Sequence, residues 1–221
     1  MRELCKIDLK DLLFLDIETC GRFSSLAESD PIYWKAFESF SARLAPDKTL
    51  EEVFERTGLY PEFGRVACIS LGFEYKGQLR LKSFISESEE EILVECLTMI
   101  NDNFSDRRLC GYNIANFDIP YLGKRSLVYD IPIIDKLDMT GLKPWESSTV
   151  DLLKIYQQGS HDRLPTLDAV CMSLGIPSPK QDFHASEVHA AFWNKKFKEI
   201  SKYCEGDVET VYKLFKKMKC C

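Results

Sequence analysis

The sequence predicts an α/β fold, a mixed sheet with helices packed on its faces. Three observations predict it. Short apolar runs of strand length recur, at 11–17 (DLLFLDI), 65–75 (RVACISLGFEY) and 108–112 (RLCGY). Stretches of helical periodicity lie between and after them. One segment, 78–85, alternates apolar and polar residues directly after a Lys76-Gly77 turn, as a half-exposed hairpin strand does.

Taken in order, 11–17 reads as a strand buried on both faces. Residues 22–62 then break the pattern as a helical insertion. Pro31 suits a helix start, and Tyr33, Trp34, Phe37, Phe40 and Leu44 follow at amphipathic spacing. Asp47 or Thr49 can cap a second helix through 51–55. After the hairpin, Ser88 opens a helix with Glu in its first turn, running to about Asn101. A strand at 108–112 leads into a helix containing Pro120, and 149–151 suits a last short strand. Helices are expected near 152–158, 166–174 and 186–194, with a long one over 197–218. Alternation of this kind assembles as one mixed sheet flanked by helices, a single domain over 1–221.

The chain has 221 residues, 45% hydrophobic and 29% charged, enough for a real core. It contains no run of ~18 apolar residues, and charges interrupt its first ten positions, so neither a membrane span nor a signal peptide is expected. Nine cysteines without paired CxxC spacing indicate a reducing, cytoplasmic setting rather than a disulfide framework or a zinc site. Cys220 and Cys221 read as an exposed tail rather than a lipidation signal. The net charge of −6 argues against a basic nucleic-acid coat. It is compatible with an enzyme whose site needs several carboxylates.

Three short elements carry the chemistry. Asp16 and Glu18 lie two apart on a strand and so share a face. Two carboxylates so placed repel unless a hard cation such as Mg²⁺ or Mn²⁺ sits between them. The second element runs from Gly111 to Leu122 (GYNIANFDIPYL), with Asp118 early in a helix. The third is Tyr203-Cys204-Glu205-Gly206-Asp207, which puts Tyr203 and Asp207 on one helical face. Singly, each has a bland explanation: a solvated strand end, a helix-favouring Asp, an amphipathic helix.

Together and in order, they resemble the three motifs of the DEDD superfamily of 3′→5′ exonucleases: D-x-E at 16–18, N-x-x-x-F-D at 113–118 and Y-x-x-x-D at 203–207. Tyr203 places the resemblance in the DEDDy branch, because Lys202 stands where the His branch has its histidine. The 112–122 peptide is especially similar to the proofreading domain of family B DNA polymerases. The pieces 62–70, 174–180, Phe192-Trp193 and Tyr203-Cys204 resemble a stand-alone, family-B-like exonuclease family. The polymerase domain of those enzymes has no counterpart in these residues, and 22–62 is an added segment.

The resemblance implies a ribonuclease H-like (DnaQ-like) fold and metal-dependent 3′→5′ exonuclease activity on single-stranded nucleic acid, DNA favoured over RNA. It implies two divalent cations, Mg²⁺ or Mn²⁺, roughly 3.5–4 Å apart. Asp16 would bridge them, Glu18 and Asp207 would hold the nucleophile-side ion, and Asp118 would act mainly through the other. Tyr203 would place the attacking water. Its phenol is a poor base at neutral pH, so the metals must acidify the water. Products would be nucleoside 5′-monophosphates. Thr19 and Asn113 match substrate-contacting positions, and Lys180 matches a lysine thought to neutralise the scissile phosphate, with a plain loop lysine as the alternative. Phe117 suits either base stacking or core packing. His161, His184 and His189 match no catalytic spacing and are expected on the surface or in loops. The 22–62 insertion is expected to pack over the sheet edge, or to serve as a lid or a protein-partner surface. An RNA exonuclease, an inactive end-binding module and a structure-specific endonuclease remain as alternatives.

Overall fold

The computed structural model describes residues 4–143, 147–160, 164–177 and 183–219. Five strands form one sheet in the order β3-β2-β1-β4-β5. β1 (Leu12–Gly21) is central, antiparallel to β2 (Gly64–Tyr75) and parallel to β4 (Arg108–Gly111). β2 pairs antiparallel with β3 (Gln78–Phe84), and β4 pairs parallel with the two-residue β5 (Val150–Asp151). The β2–β3 turn uses Lys76 and Gly77, both at positive φ, which matches the twist of the two strands.

Alternation along β1 divides the core. Leu13, Leu15 and Ile17 face α3 (Glu89–Phe104) and α4 (Asp118–Val128), burying Ile92, Leu93, Cys96, Ile100 and Leu122. Leu12 and Phe14 face the other way, onto α8 (Phe197–Lys219) and α6 (Leu167–Ser173). Phe14 meets Tyr212 and Phe215 edge-on at 5.4 and 6.0 Å. Burying each such side chain stabilises the fold by about 1.5–3 kcal/mol. Two further helices, α5 (Leu152–Gln157) and α7 (Val188–Trp193), complete the α8 side.

α8 forms because its apolar positions recur at helical spacing: Ile200, Cys204, Val208, Val211, Phe215 and Met218 are buried. Gly72 on β2 lets it lie close, since a Cβ there would sit 2.5 Å from Val208 Cγ1. On the opposite face, Glu89 at the first turn of α3 is 2% exposed and fully bonded. It accepts from Arg125 Nε and Nη2 at 2.8 and 2.7 Å, Tyr129 OH at 3.0 Å and the Val66 N–H at 2.7 Å, fastening α3 and α4 to β2.

The 22–62 segment contains α1 (Pro31–Leu44) and α2 (Leu50–Phe54). Asp30 caps α1 through the Tyr33 N–H. Thr49, rather than Asp47, caps α2 in a reciprocal box with Glu52. The aromatic stripe of α1 is narrower than its spacing suggests. Tyr33 and Phe37 are buried against Phe54 and Phe63, whereas Trp34 and Leu44 are 38% and 46% exposed. Trp34 lies one position off the buried stripe, about 100° around the helix.

Candidate active site

Asp16 and Glu18 project from the β1 face that carries Leu12 and Phe14, toward α8. The ladder with β2 is in register up to Glu18↔Cys68 and then slips at a bulge between Glu18 and Thr19, which bends the strand just past the pair. Tyr203 and Asp207 each precede a buried member of the α8 stripe, Cys204 and Val208, so they flank the stripe on the side of the carboxylates. Cys204 Sγ donates to Asp16 Oδ2 and to Asp16 O, both at 3.4 Å. The nearest donor atoms of Asp16, Glu18 and Cys204 lie within 4.8 Å of one another.

The third carboxylate arrives through a loop held by an aspartate. β4 ends at Gly111, where a Cβ would lie 2.8 Å from Ile114 and 2.9 Å from Leu15 O, so only glycine lets the chain turn there. Asn113 adopts φ +58, a left-handed conformation that Asn tolerates. Buried Asp151, at the end of β5, accepts the N–H groups of Asn113, Ala115 and Leu153 at 3.0, 3.2 and 3.0 Å. This fixes the turn, and Asp118 then opens α4 with its Oδ1 accepting the Ile17 N–H of β1 at 3.1 Å. Asp118 is therefore aimed across the sheet at the Asp16–Glu18 strand rather than capping its own helix, whose cap position belongs to Phe117.

Burial and mutual repulsion make the group expensive to ionise. Asp16 is pushed well above the ordinary carboxylate range by burial, then by Asp207, Glu18 and Asp118. Glu18 is raised likewise by burial, then Asp207. Burial pushes Asp118 up to about 7, although the N–H bonds it accepts oppose the rise. Burial, then the Asp168 charge, pushes Asp207 up to about 7. The Tyr203 phenol is raised by burial and by Asp207, Glu18 and Asp16, so it stays protonated.

The donor set fits hard divalent cations. Among the described residues, no Lys or Arg pairs with any of the four carboxylates. Glu18, 8% exposed, receives no hydrogen bond from any described residue. A buried carboxylate without a donor costs several kcal/mol unless a cation is present. Asp16, Glu18, Asp118 and Asp207 are the residues that would hold such ions.

The other expected site residues are dispersed. Thr19 is half-buried just past the bulge. Asn113 Oδ1 accepts from Asn116 Nδ2 at 3.0 Å. Phe117 packs on the core and lies 5.4 Å from the Tyr121 ring, which leaves only part of it for stacking. Lys180 and His161 fall outside the described residues. His184 is exposed, but His189 corrects the expectation of a surface role. It sits half-buried on α7, its Nδ1 accepts the Gly21 N–H at 3.1 Å, and its Nε2 lies 3.1 Å from Ser24 O, tying the end of β1 to α7. A cleft of about 840 Å³ borders Tyr203 between α7 and α8, but not the carboxylates. Its rim has Glu187, Glu199, Glu205 and Glu209 against Lys196 and Lys202, a poor setting for a phosphate chain.

Sequence reasoning missed Asp151, Cys204 and Cys68. Asp151 is one acid before an apolar helix, indistinguishable in sequence from a helix cap. The two cysteines had no spacing to link them.

A mixed five-stranded sheet thus carries Asp16 and Glu18 on its central strand, with the Tyr203–Asp207 pair on the helix beside them. Residues 59–221 match the family described as "Predicted 3'-5' exonuclease related to the exonuclease domain of PolB", and the chain belongs to it. The chain is 22% identical to the DNA polymerase delta catalytic subunit of Schizosaccharomyces pombe, over 97% of its own length and 22% of that protein's. In fold it is similar to the family B DNA polymerase of the archaeon Pyrobaculum calidifontis, with a TM-score of 0.59 and 18% identity over 94% of the chain and 24% of that polymerase. The chain thus spans under a quarter of either relative. Among the described residues no helix is long and apolar enough to cross a membrane.

Proposed function

We propose that the chain is a 3′→5′ exonuclease that hydrolyses single-stranded DNA from its 3′ end and releases nucleoside 5′-monophosphates. The observation that carries this reading is the convergence of buried Glu18 and Asp118 with half-buried Asp16 and Asp207, with no Lys or Arg paired to them among the described residues. Divalent cations held there would supply charge neutralisation of the phosphate and acidification of water.

The chain's own residues do the rest. Asp16 and Glu18 stand on a central strand and Asp118 is fixed to that strand by the Ile17 N–H, so the cluster is rigid before substrate arrives. The Tyr203 hydroxyl has no hydrogen-bond partner among the described residues and faces the same carboxylates. Held protonated, it donates to the attacking water and orients it without acting as base. The new bond joins the water oxygen to phosphorus. The phosphorus–O3′ bond of the penultimate nucleotide breaks, and O3′ leaves with the electron pair and takes up a proton. On this reading Asn113 and Thr19 contact the terminal nucleotide, and the exposed Trp34 of the 22–62 insertion meets a protein partner.

The test is hydrolysis of 5′-labelled single-stranded DNA and RNA of matched sequence, with Mg²⁺, Mn²⁺ or EDTA, beside the Asp16→Ala/Glu18→Ala variant. A ladder shortening from the 3′ end of DNA, absent in EDTA and in the variant, is expected. Preference for RNA would change the substrate class. Cleavage of a circular single strand would indicate an endonuclease. No cleavage under any condition would leave an end-binding module.

A further inference from the structure

The proposed reaction needs oxygen donors, yet the site contains sulfur. Cys204 is fully buried on α8, with Sγ 3.4 Å from both Asp16 O and Asp16 Oδ2. Its nearest partners form a mixed set, because donor atoms of Asp16, Glu18 and Cys204 lie within 4.8 Å of one another. A second thiol, Cys68, stands opposite Glu18 in the β1–β2 ladder and is fully buried. Independently, Glu18 is more than nine-tenths buried and has no donor among the described residues, so its carboxylate is aimed into this space unpaired.

We propose that Cys204, Asp16 and Glu18 form a mixed sulfur–oxygen site for a thiophilic divalent cation, Zn²⁺ or Cd²⁺, whose binding excludes the hard cations of the exonuclease reaction and arrests it. Mg²⁺ and Mn²⁺ select oxygen donors, whereas a thiolate selects softer ions. Zinc sits about 2.0–2.2 Å from carboxylate oxygen and about 2.3 Å from sulfur, so a tetrahedral site sets those two donors roughly 3.5 Å apart. Cys204 Sγ and Asp16 Oδ2 already stand at 3.4 Å. The site therefore needs little rearrangement to accept the ion. On binding, a sulfur–metal bond forms, the S–H bond breaks and one proton leaves to solvent. No electron changes hands. Because Asp16 and Glu18 belong to both sites, the two occupancies compete.

The alternative role for Cys204 is that of a small buried filler with a weak S–H donor. That role predicts no cation-dependent signal from its sulfur. The site rests on reading Asp16 and Glu18 as cation ligands, and only the arrest rests on the proposed hydrolysis.

The experiment is a Cd²⁺ titration of the full chain at neutral pH, read by the thiolate-to-cadmium charge-transfer absorption. Wild type is compared with Cys204→Ser and with Asp16→Asn. Exposed thiols such as Cys5 contribute equally to all three and cancel in the differences. Wild type should exceed Cys204→Ser by one thiolate equivalent, and Asp16→Asn should lose the same increment although it keeps the thiol. Relative to each protein's own zinc-free rate, Cys204→Ser should need at least about tenfold more Zn²⁺ for half-inhibition, which corresponds to about 1.4 kcal/mol of binding. Equal bands in wild type and Cys204→Ser, or an increment that survives in Asp16→Asn, would overturn the proposal. Cys204→Ala, confirmed folded by thermal unfolding, gives the same reading if the buried Ser disrupts packing. Absent hydrolysis with the increment intact would sink the exonuclease reading and the arrest with it, and leave the mixed sulfur–oxygen site standing. Mg²⁺-dependent hydrolysis without the increment would do the reverse.

Discussion

Replacing Asp118 with Asn keeps an oxygen for the Ile17 N–H and removes a charge from the carboxylate cluster. In the cation-free protein that charge is destabilising. Asp118 titrates near 7 when folded against an ordinary value of 3.8, a difference equivalent to about 4 kcal/mol when the group is fully ionised. Burial is the main cause of that penalty, and a buried Asn amide still carries part of the desolvation cost, so about 2 kcal/mol is the expected gain. A group raised on folding contributes stability that is full below its unfolded value, near 4, and is lost as pH rises through 7. Wild-type protein in EDTA should therefore lose stability between pH 5 and 8, and Asp118→Asn should flatten that fall. At pH 8 the variant should melt about 4–8 °C above wild type, with little difference at pH 4. Mn²⁺ should raise the wild-type melting temperature at pH 8 and the variant's much less. Thermal unfolding across pH, with and without the ion, reads all of this. A variant less stable than wild type at pH 8 in EDTA, or wild-type stability that climbs from pH 5 to 8, would refute the reasoning.

Three other outcomes are expected. Tyr203→Phe should lower kcat by about 10–100-fold with KM little changed, because it removes one hydrogen bond to the reacting water and no packing; steady-state kinetics with Mg²⁺ would show it. Asp151→Asn keeps one acceptor but turns an amide toward the backbone donors of Asn113, Ala115 and Leu153, and should cost about 2–3 kcal/mol in denaturant unfolding, with KM rising as the Asn113 loop loosens. Arg125→Ala leaves Glu89 buried without its cation and should cost about 3–5 kcal/mol, while Arg125→Ala/Glu89→Gln should recover part of the loss in the same assay.

Local rules made most elements legible. The caps Asp30, Thr49, Ser88 and Thr166 each accept from the backbone where a helix begins. The turn at Lys76-Gly77 needed only its residue types. The spacing of Asp16 and Glu18, and of Tyr203 and Asp207, put each pair on one face by strand and helix period alone. Where sequence reading fell short, the deciding contact was distant in the chain. His189 shows no motif, because its partners Gly21 and Ser24 are more than 160 positions away. Trp34 looked like part of a buried stripe, but only the position of Phe63 decides which edge of α1 is covered.

The sequence by itself determined the α/β class, the order of strands and helices and the three motifs, since these follow from short-range periodicity and residue chemistry. Only the tertiary structure decided what surrounds the carboxylates. Strand β1 lies between β2 and β4, α8 approaches over Gly72, and Asp151 holds the Asn113 turn, so residues from 16 to 207 meet in one buried space. Burial and proximity are properties of that meeting. They raise the carboxylates, leave Glu18 without a donor among the described residues and bring the Cys204 sulfur against Asp16, and no interval in the sequence encodes them.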